Sequence, residues 1–222
     1  MVAAASAASE VAPVTSPPAA AAALAEADAL LAENPAAALV WIESHPEEGS
    51  ASQRLLRRGL GRLKADKIQA GLADLAAAFV DDAALAADPR VLPALLEVLD
   101  EREADEAVGL LAGPAGRGAG PRLLAAVAEA GLRARWRLVD ALEKAEAPEA
   151  RPARFAALRR DLRLGDCERR RKAAEALGAW GDGAALPDLK RARGRGFLDN
   201  LCMSGEIDAA IRALKDAPAS AE

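Results

Sequence analysis

The sequence predicts an all-α fold, and three observations carry that expectation. Apolar residues make up 52% of the chain but aromatics only 3%, with no Tyr, so the apolar content rests on Ala and Leu, both strong helix formers. β-branched residues are sparse, which argues against sheet. Pro, Gly, Asn and Asp recur at short intervals and leave stretches of roughly 10–16 residues with apolar stripes at helical spacing. Short helices with one apolar face bury it against their neighbours, so the expected arrangement is an α-solenoid of about twelve helices, without exact repetition at one period.

Taken in order, residues 1–17 read as a flexible linker, with Pro13, Ser16 and Pro17 set among Ala and Ser. A linker at the start points to a piece of a longer protein. Pro18 suits the first position of a helix ending at Asn34, and Pro35 opens a second through Ser44, stopped by His45-Pro46. Ser50 is the expected N-cap of 51–65, with the stripe Leu55, Leu56, Leu60, Leu63. Asp66 is the expected cap of 67–80, with the stripe Ile68, Leu72, Leu75, Phe79. Helices follow at 90–99 and 103–111. The segment AGPAGRGAGP, 112–121, is the clearest break and the expected weakest joint. Helices resume at 122–130, 132–145, 150–164, 167–180 and 184–193, and a last one spans 206–215 after an irregular segment. Residues 218–222 read as a frayed tail.

Charge is uneven. The chain has a formal net charge of −5, yet residues 151–196 carry 13 Lys and Arg against 6 Asp and Glu, a local excess of +7. That segment suits an anionic partner or forms solvated faces neutralised by neighbouring acids. No stretch of about 18 strongly apolar, uncharged residues occurs, so no membrane insertion is expected of this chain, and no basic leader of the secretory kind stands at the N-terminus.

The stretch RRRKAAEALGAWGDGAALPDLKRA, 169–192, resembles a HEAT-like repeat of the phycobilisome-lyase type. An Arg-xx-Ala-Ala-xx-Leu helix is followed by a Gly-Asp turn and a Pro-led second helix. The matching residues are Arg170, Ala173, Ala174, Leu177, Gly181, Asp182, Ala185, Pro187 and Leu189, with departures at Trp180 and Gly183. The resemblance gives Arg170, Ala173, Ala174, Leu177, Asp182 and Pro187 structural roles: close helix approach, a shared core, a cap and a helix start. Upstream, LAEADALLAENPAAALVWIESHPEE and LLRRGLGRLKADKIQAGLADLAAAF resemble degenerate tetratricopeptide repeats, with Ala70-Gly71-Leu72 and Phe79 at their packing positions. The implied organisation is TPR-like helices over 18–111, a joint at 112–121 and HEAT-like helices over 122–217. This order resembles the C-terminal repeat regions of some bacterial Hanks-type Ser/Thr kinases. The sequence has no Gly-rich loop, HRD or DFG motif, so the resemblance implies an accessory module. Cys167 and Cys202 lie about one HEAT-like repeat apart. The resemblance implies that they lie close: as buried free thiols in a cytosolic setting, or as a disulfide outside the membrane. The compartment is cytoplasmic by default and extracytoplasmic if the chain belongs to a membrane kinase.

No constellation for catalysis converges in the sequence, and no cofactor or metal site is expected. His45 is the sole histidine and reads as a helix-exit residue. The acidic run Asp100–Ala107 reads as a solvated helix start. Trp41 and Trp180 read as core. Trp136, flanked by Arg133, Arg135 and Arg137, is the aromatic best suited to face a partner. With Arg169 and Arg171 these form the candidate partner-binding set, while Arg170 faces an acidic group of a neighbouring repeat. The expected function is a non-catalytic protein-interaction scaffold with a protein partner. The alternatives are a nucleic-acid-binding protein using 151–196, or a HEAT-like lyase- or glycosylase-type enzyme.

Overall fold

The computed structural model describes residues 18–195, 203 and 205–216. Among them twelve α-helices and no strand occur, so the chain is all-α. The chain divides into two compact units, residues 1–85 and 86–222.

In the first unit, α1 (Pro18–Glu33), α2 (Pro35–Ser44), α3 (Ala51–Lys64) and α4 (Ile68–Asp81) pack mainly against their chain neighbours. Short polar side chains set the helix starts. Asn34 accepts a hydrogen bond from Ala37 N at 3.1 Å, and Ser50 forms a reciprocal capping box with Gln53. Leu56, Leu60 and Leu63 of α3 and Leu72, Leu75 and Phe79 of α4 are buried. Gly59 and Gly71 let the two helices touch backbone to backbone: a Cβ on Gly71 would stand 2.9 Å from the Gly59 oxygen, and one on Gly59 3.0 Å from the Gly71 oxygen. Buried charges are paired. Asp28 takes two donors of Arg57 at 2.8 and 2.9 Å, and Asp74 holds both Arg58 and Arg62.

One expectation in this unit is corrected. Lys67, not Asp66, is the N-cap of α4, and it has no side-chain cap bond. Asp66 instead ends α3 in the left-handed conformation, φ 57°. Its N–H reaches the Leu63 carbonyl and the Lys67 N–H reaches that of Arg62, which satisfies the last carbonyls of α3.

The second unit contains α5 (Val91–Glu97), which runs on into a 3-10 turn at Val98–Asp100, then α6 (Asp105–Ala112), α7 (Gly120–Glu129), α8 (Leu132–Lys144), α9 (Ala150–Leu164), α10 (Cys167–Trp180), α11 (Leu186–Arg193) and α12 (Glu206–Asp216). α7 packs on α8, α8 on α9 and α9 on α10, α11 packs on α9, and α12 packs on α10 and α11. The core includes Leu99, Leu111, Leu123, Leu138, Leu142, Leu162, Leu177 and Leu189, each essentially without exposure. Truncating one of these to Ala removes apolar contact and leaves a cavity, at a cost of about 2–5 kcal/mol.

The Gly/Pro-rich segment lies inside this unit, and the division by contacts falls at Leu85–Ala86 instead. A 3-10 turn, Pro114–Gly116, packs on α6, and Ala115 and Ala119 are buried. A Cβ on Gly116 would stand 1.7 Å from the Leu111 oxygen, so this glycine permits a close turn and not an open hinge.

Candidate partner-binding cleft

α8, α9 and α10 line a cleft of about 700 Å³. Its helices are positioned by capping. The carboxylate of Asp100, from the turn after α5, accepts from Ala134 N at 3.0 Å and so caps α8 from a distant segment. At α10, Asp166 accepts from Arg169 N at 3.0 Å, and Gly181 closes the far end at φ 74°.

The apolar wall comes from Leu132 and Trp136 of α8, Leu158 of α9, and Ala173 and Ala176 of α10. Trp136 is half-buried, and its indole Nε1–H donates to Asp161 at 2.9 Å. Cations stand around this wall: Arg133 and Arg137 on α8, Arg169 and Lys172 on α10. The carboxylates of the cleft are Asp140 and Asp161. Asp161 is buried and engaged by Arg135 and Trp136, while Asp140 pairs with Lys144 at 3.0 Å.

The six arginine and tryptophan candidates separate in three ways. Arg133, Trp136, Arg137 and Arg169 are brought together around the cleft. Arg135, expected on the partner-facing surface, is instead 5% exposed and forms a buried ion pair with Asp161. Positions two apart on a helix face different directions, so Arg135 turns away from Arg133 and Arg137. Arg137 is also committed within the fold. It donates to the carbonyls of Leu99, Glu101 and Arg102 and to the Asp105 carboxylate at 2.7 Å. Two parts of the acidic run thus have structural work, Asp100 as a cap and Asp105 as an ion-pair partner. Arg171 lies outside the cleft lining, clamped between Glu168 at 2.7 Å and Glu175 at 2.8 Å. Hydrogen bonding to Arg171, then to Lys172, lowers the Glu168 pKa from the ordinary carboxylate value, and the Glu168 bond raises that of Arg171.

Arg170 is 8% exposed, and its Nε donates to the Leu162 carbonyl at 3.3 Å. Ala173, Ala174 and Leu177 are buried in the core shared with α12, together with Leu189, Ile207 and Ile211. Asp182 accepts from Ala184 N at 2.8 Å and caps the 3-10 turn Gly183–Ala185, and Pro187 lies in the first turn of α11. Cys167 is disulfide-bonded, and Cys202, the other half of the expected pair, lies outside the described residues.

The remaining aromatic and histidine candidates are accounted for by local packing. His45 stacks on Trp41 with ring centroids 4.2 Å apart and hydrogen-bonds the Trp41 carbonyl at 2.8 Å. Trp180 packs beside Phe155, with Arg151 over its ring. Among the described residues no group of three or more His, Cys, Asp or Glu could hold a metal ion, and no helix is long and apolar enough to cross a membrane.

Sequence reasoning missed Lys172, Leu132 and Leu158 as parts of the cleft. Lys172 sits three residues from Arg169 on α10, a spacing that places both on one face, and this was the available signal. No protein-family model, curated protein or solved structure matches the chain.

Proposed function

We propose that this chain is a non-catalytic protein-interaction module whose working surface is the cleft of α8, α9 and α10. The observation that carries the reading is an open cleft with an apolar wall and surrounding cations. Exposed apolar surface rimmed by polar groups is the composition of a partner-binding site. Packing between consecutive helices in each unit supports a solenoid-type scaffold, which suits extended protein contacts. The resemblance to kinase C-terminal repeat regions supports an accessory role beside a catalytic domain. A photo-crosslinking residue in place of Leu132, at the cleft, tests this in cells. It is expected to give a discrete protein adduct that the same residue in place of Val80, 84% exposed, does not. Identical adduct patterns at both positions would overturn the assignment.

A second reading, nucleic-acid binding, is favoured by one other feature. Arg159 and Arg163 of α9 and Arg191 and Arg195 near the end of α11 surround Asp188. Arg159 and Arg191 pair with that carboxylate, and among the described residues Arg163 has no carboxylate partner. Binding of duplex DNA with a steep salt dependence, reduced by Arg163→Gln and Arg191→Gln, would support it. Salt-independent or absent binding would remove it.

A further inference from the structure

We propose that the cleft takes an acidic peptide segment carrying a bulky apolar side chain. The inference rests on the protein-interaction reading and adds the chemistry of the partner.

The apolar side chain is called for by the wall. Trp136 already spends its only hydrogen-bond donor on Asp161, so the indole offers an incoming group its ring and not a polar contact. Leu132, which is exposed, and the half-buried Ala176 continue that surface over the buried Leu158 and Ala173. A volume of about 700 Å³ accommodates one or two large side chains with room for backbone.

The acidic character is called for by the rim. Arg169 and Lys172 face the cleft from α10, and Arg133 from α8. Their partners in the fold hold them lightly. Arg169 pairs with Asp166, the N-cap of α10, and Lys172 with Glu168 of the same helix, and both pairs are widely exposed. Exposed pairs of this kind contribute little, so a carboxylate from a partner competes with them on even terms. Arg133 donates through Nη1 to the Asp100 carbonyl, and a guanidinium has further donors to give. On the opposing side Asp140 is the exposed carboxylate of the lining, and it is paired with Lys144. The cleft therefore presents net positive charge above an apolar wall. A phosphate backbone would use the charge and leave the wall bare, whereas an acidic peptide with an apolar anchor uses both.

The experiment pans a phage-displayed library of random peptides of about twelve residues on the full chain, then measures the enriched peptides by fluorescence anisotropy. Enriched sequences are expected to combine Leu, Ile or Phe with flanking Asp or Glu. Arg169→Glu with Lys172→Glu should weaken them by about tenfold or more, and Trp136→Leu likewise. Melting followed by circular dichroism checks the fold of each variant, and the α10 pair is exposed, so its replacement spares the core. The charge-reversed protein, panned on the same library, should select Lys- and Arg-bearing peptides. Peptides lost with Trp136→Leu but indifferent to the charge reversal would overturn the acidic chemistry and leave the interaction reading standing. Peptides indifferent to all these changes, or no enrichment, would overturn the inference and the cleft as working surface together. Binding of labelled oligothymidylate in place of peptides, lost in the same variants, would make the cleft a nucleic-acid site and overturn the inference.

Discussion

The indole Nε1–H of Trp136 donates to Asp161 at 2.9 Å, across the α8–α9 junction at the back of the cleft. The second carboxylate oxygen of Asp161 takes the buried Arg135 guanidinium, so one acid neutralises a buried cation and orients the ring that a partner would meet. Among the described residues Arg135 Nε has no hydrogen-bond partner, which makes the Asp161 contact the more necessary. Replacing Asp161 by Ala should lower stability by about 3–5 kcal/mol, since it strands a buried charge. Removing both charges, Arg135→Met with Asp161→Leu, should recover most of that loss. Denaturant unfolding of the three proteins checks it, and equal losses in the single and double variants would refute the pairing.

Two helix ends are closed by residues with a side chain where glycine is usual. Asp66 and Glu146 adopt φ 57° and 51°, and after Glu146 the Ala147 N–H reaches the Leu142 carbonyl at 3.0 Å. A left-handed L-residue is strained by about 1–2 kcal/mol. Asp66→Gly and Glu146→Gly should therefore each stabilise the protein, by about 0.5–1 kcal/mol after the greater freedom of unfolded Gly is offset. Thermal unfolding reads the shift, and a fall in melting temperature for both would contradict the strain.

Local codes were legible in the sequence, and long-range partners were not. Ser50, Asp166 and Asp182 sit before runs whose amide groups they serve, so a reader of the sequence finds such caps within a few residues. Asp66 misled because an acidic residue before a helix reads as a cap, whereas the preceding helix had first claim on its backbone. Arg133, Arg135 and Arg137 read as one cluster by adjacency, yet helical geometry separates the middle one from its neighbours. Its partner Asp161 lies one helix further along the chain, and no local pattern joins the two. The Gly-rich stretch at 112–121 has the composition of a linker, but Gly116 is there because Leu111 leaves no room for a side chain.

Glu168, at the start of α10, should titrate below the ordinary carboxylate range, mainly because Arg171 hydrogen-bonds its ionised form and secondarily because Lys172 does. A depressed folded value means that any stabilisation is present above the unfolded pKa and is lost as pH falls through the folded one. In Arg171→Ala the Glu168 midpoint should move up toward the ordinary value. Carboxyl NMR titration follows this one group, and an unmoved midpoint would show that Arg171 is not its principal partner.

The three consecutive arginines of α10 should separate cleanly by substitution. Arg170 is buried and serves the Leu162 carbonyl at the end of α9, while on the surface Arg169 pairs with the N-cap Asp166 and Arg171 with Glu168. Removing a buried donor leaves its acceptor short of a partner, at about 1–3 kcal/mol, whereas exposed surface pairs like those of Arg169 and Arg171 contribute little. Arg170→Ala should thus lower stability by at least about 1 kcal/mol, and Arg169→Ala and Arg171→Ala should leave melting nearly unchanged. Binding divides the last two. Arg169 lines the cleft and Arg171 does not, so Arg169→Ala should weaken a cleft-bound acidic peptide and Arg171→Ala should not. Melting curves and peptide anisotropy on the same three proteins check both halves. Equal effects of Arg169→Ala and Arg171→Ala on binding would mean that the charge of the helix end, and not the cleft, governs recognition.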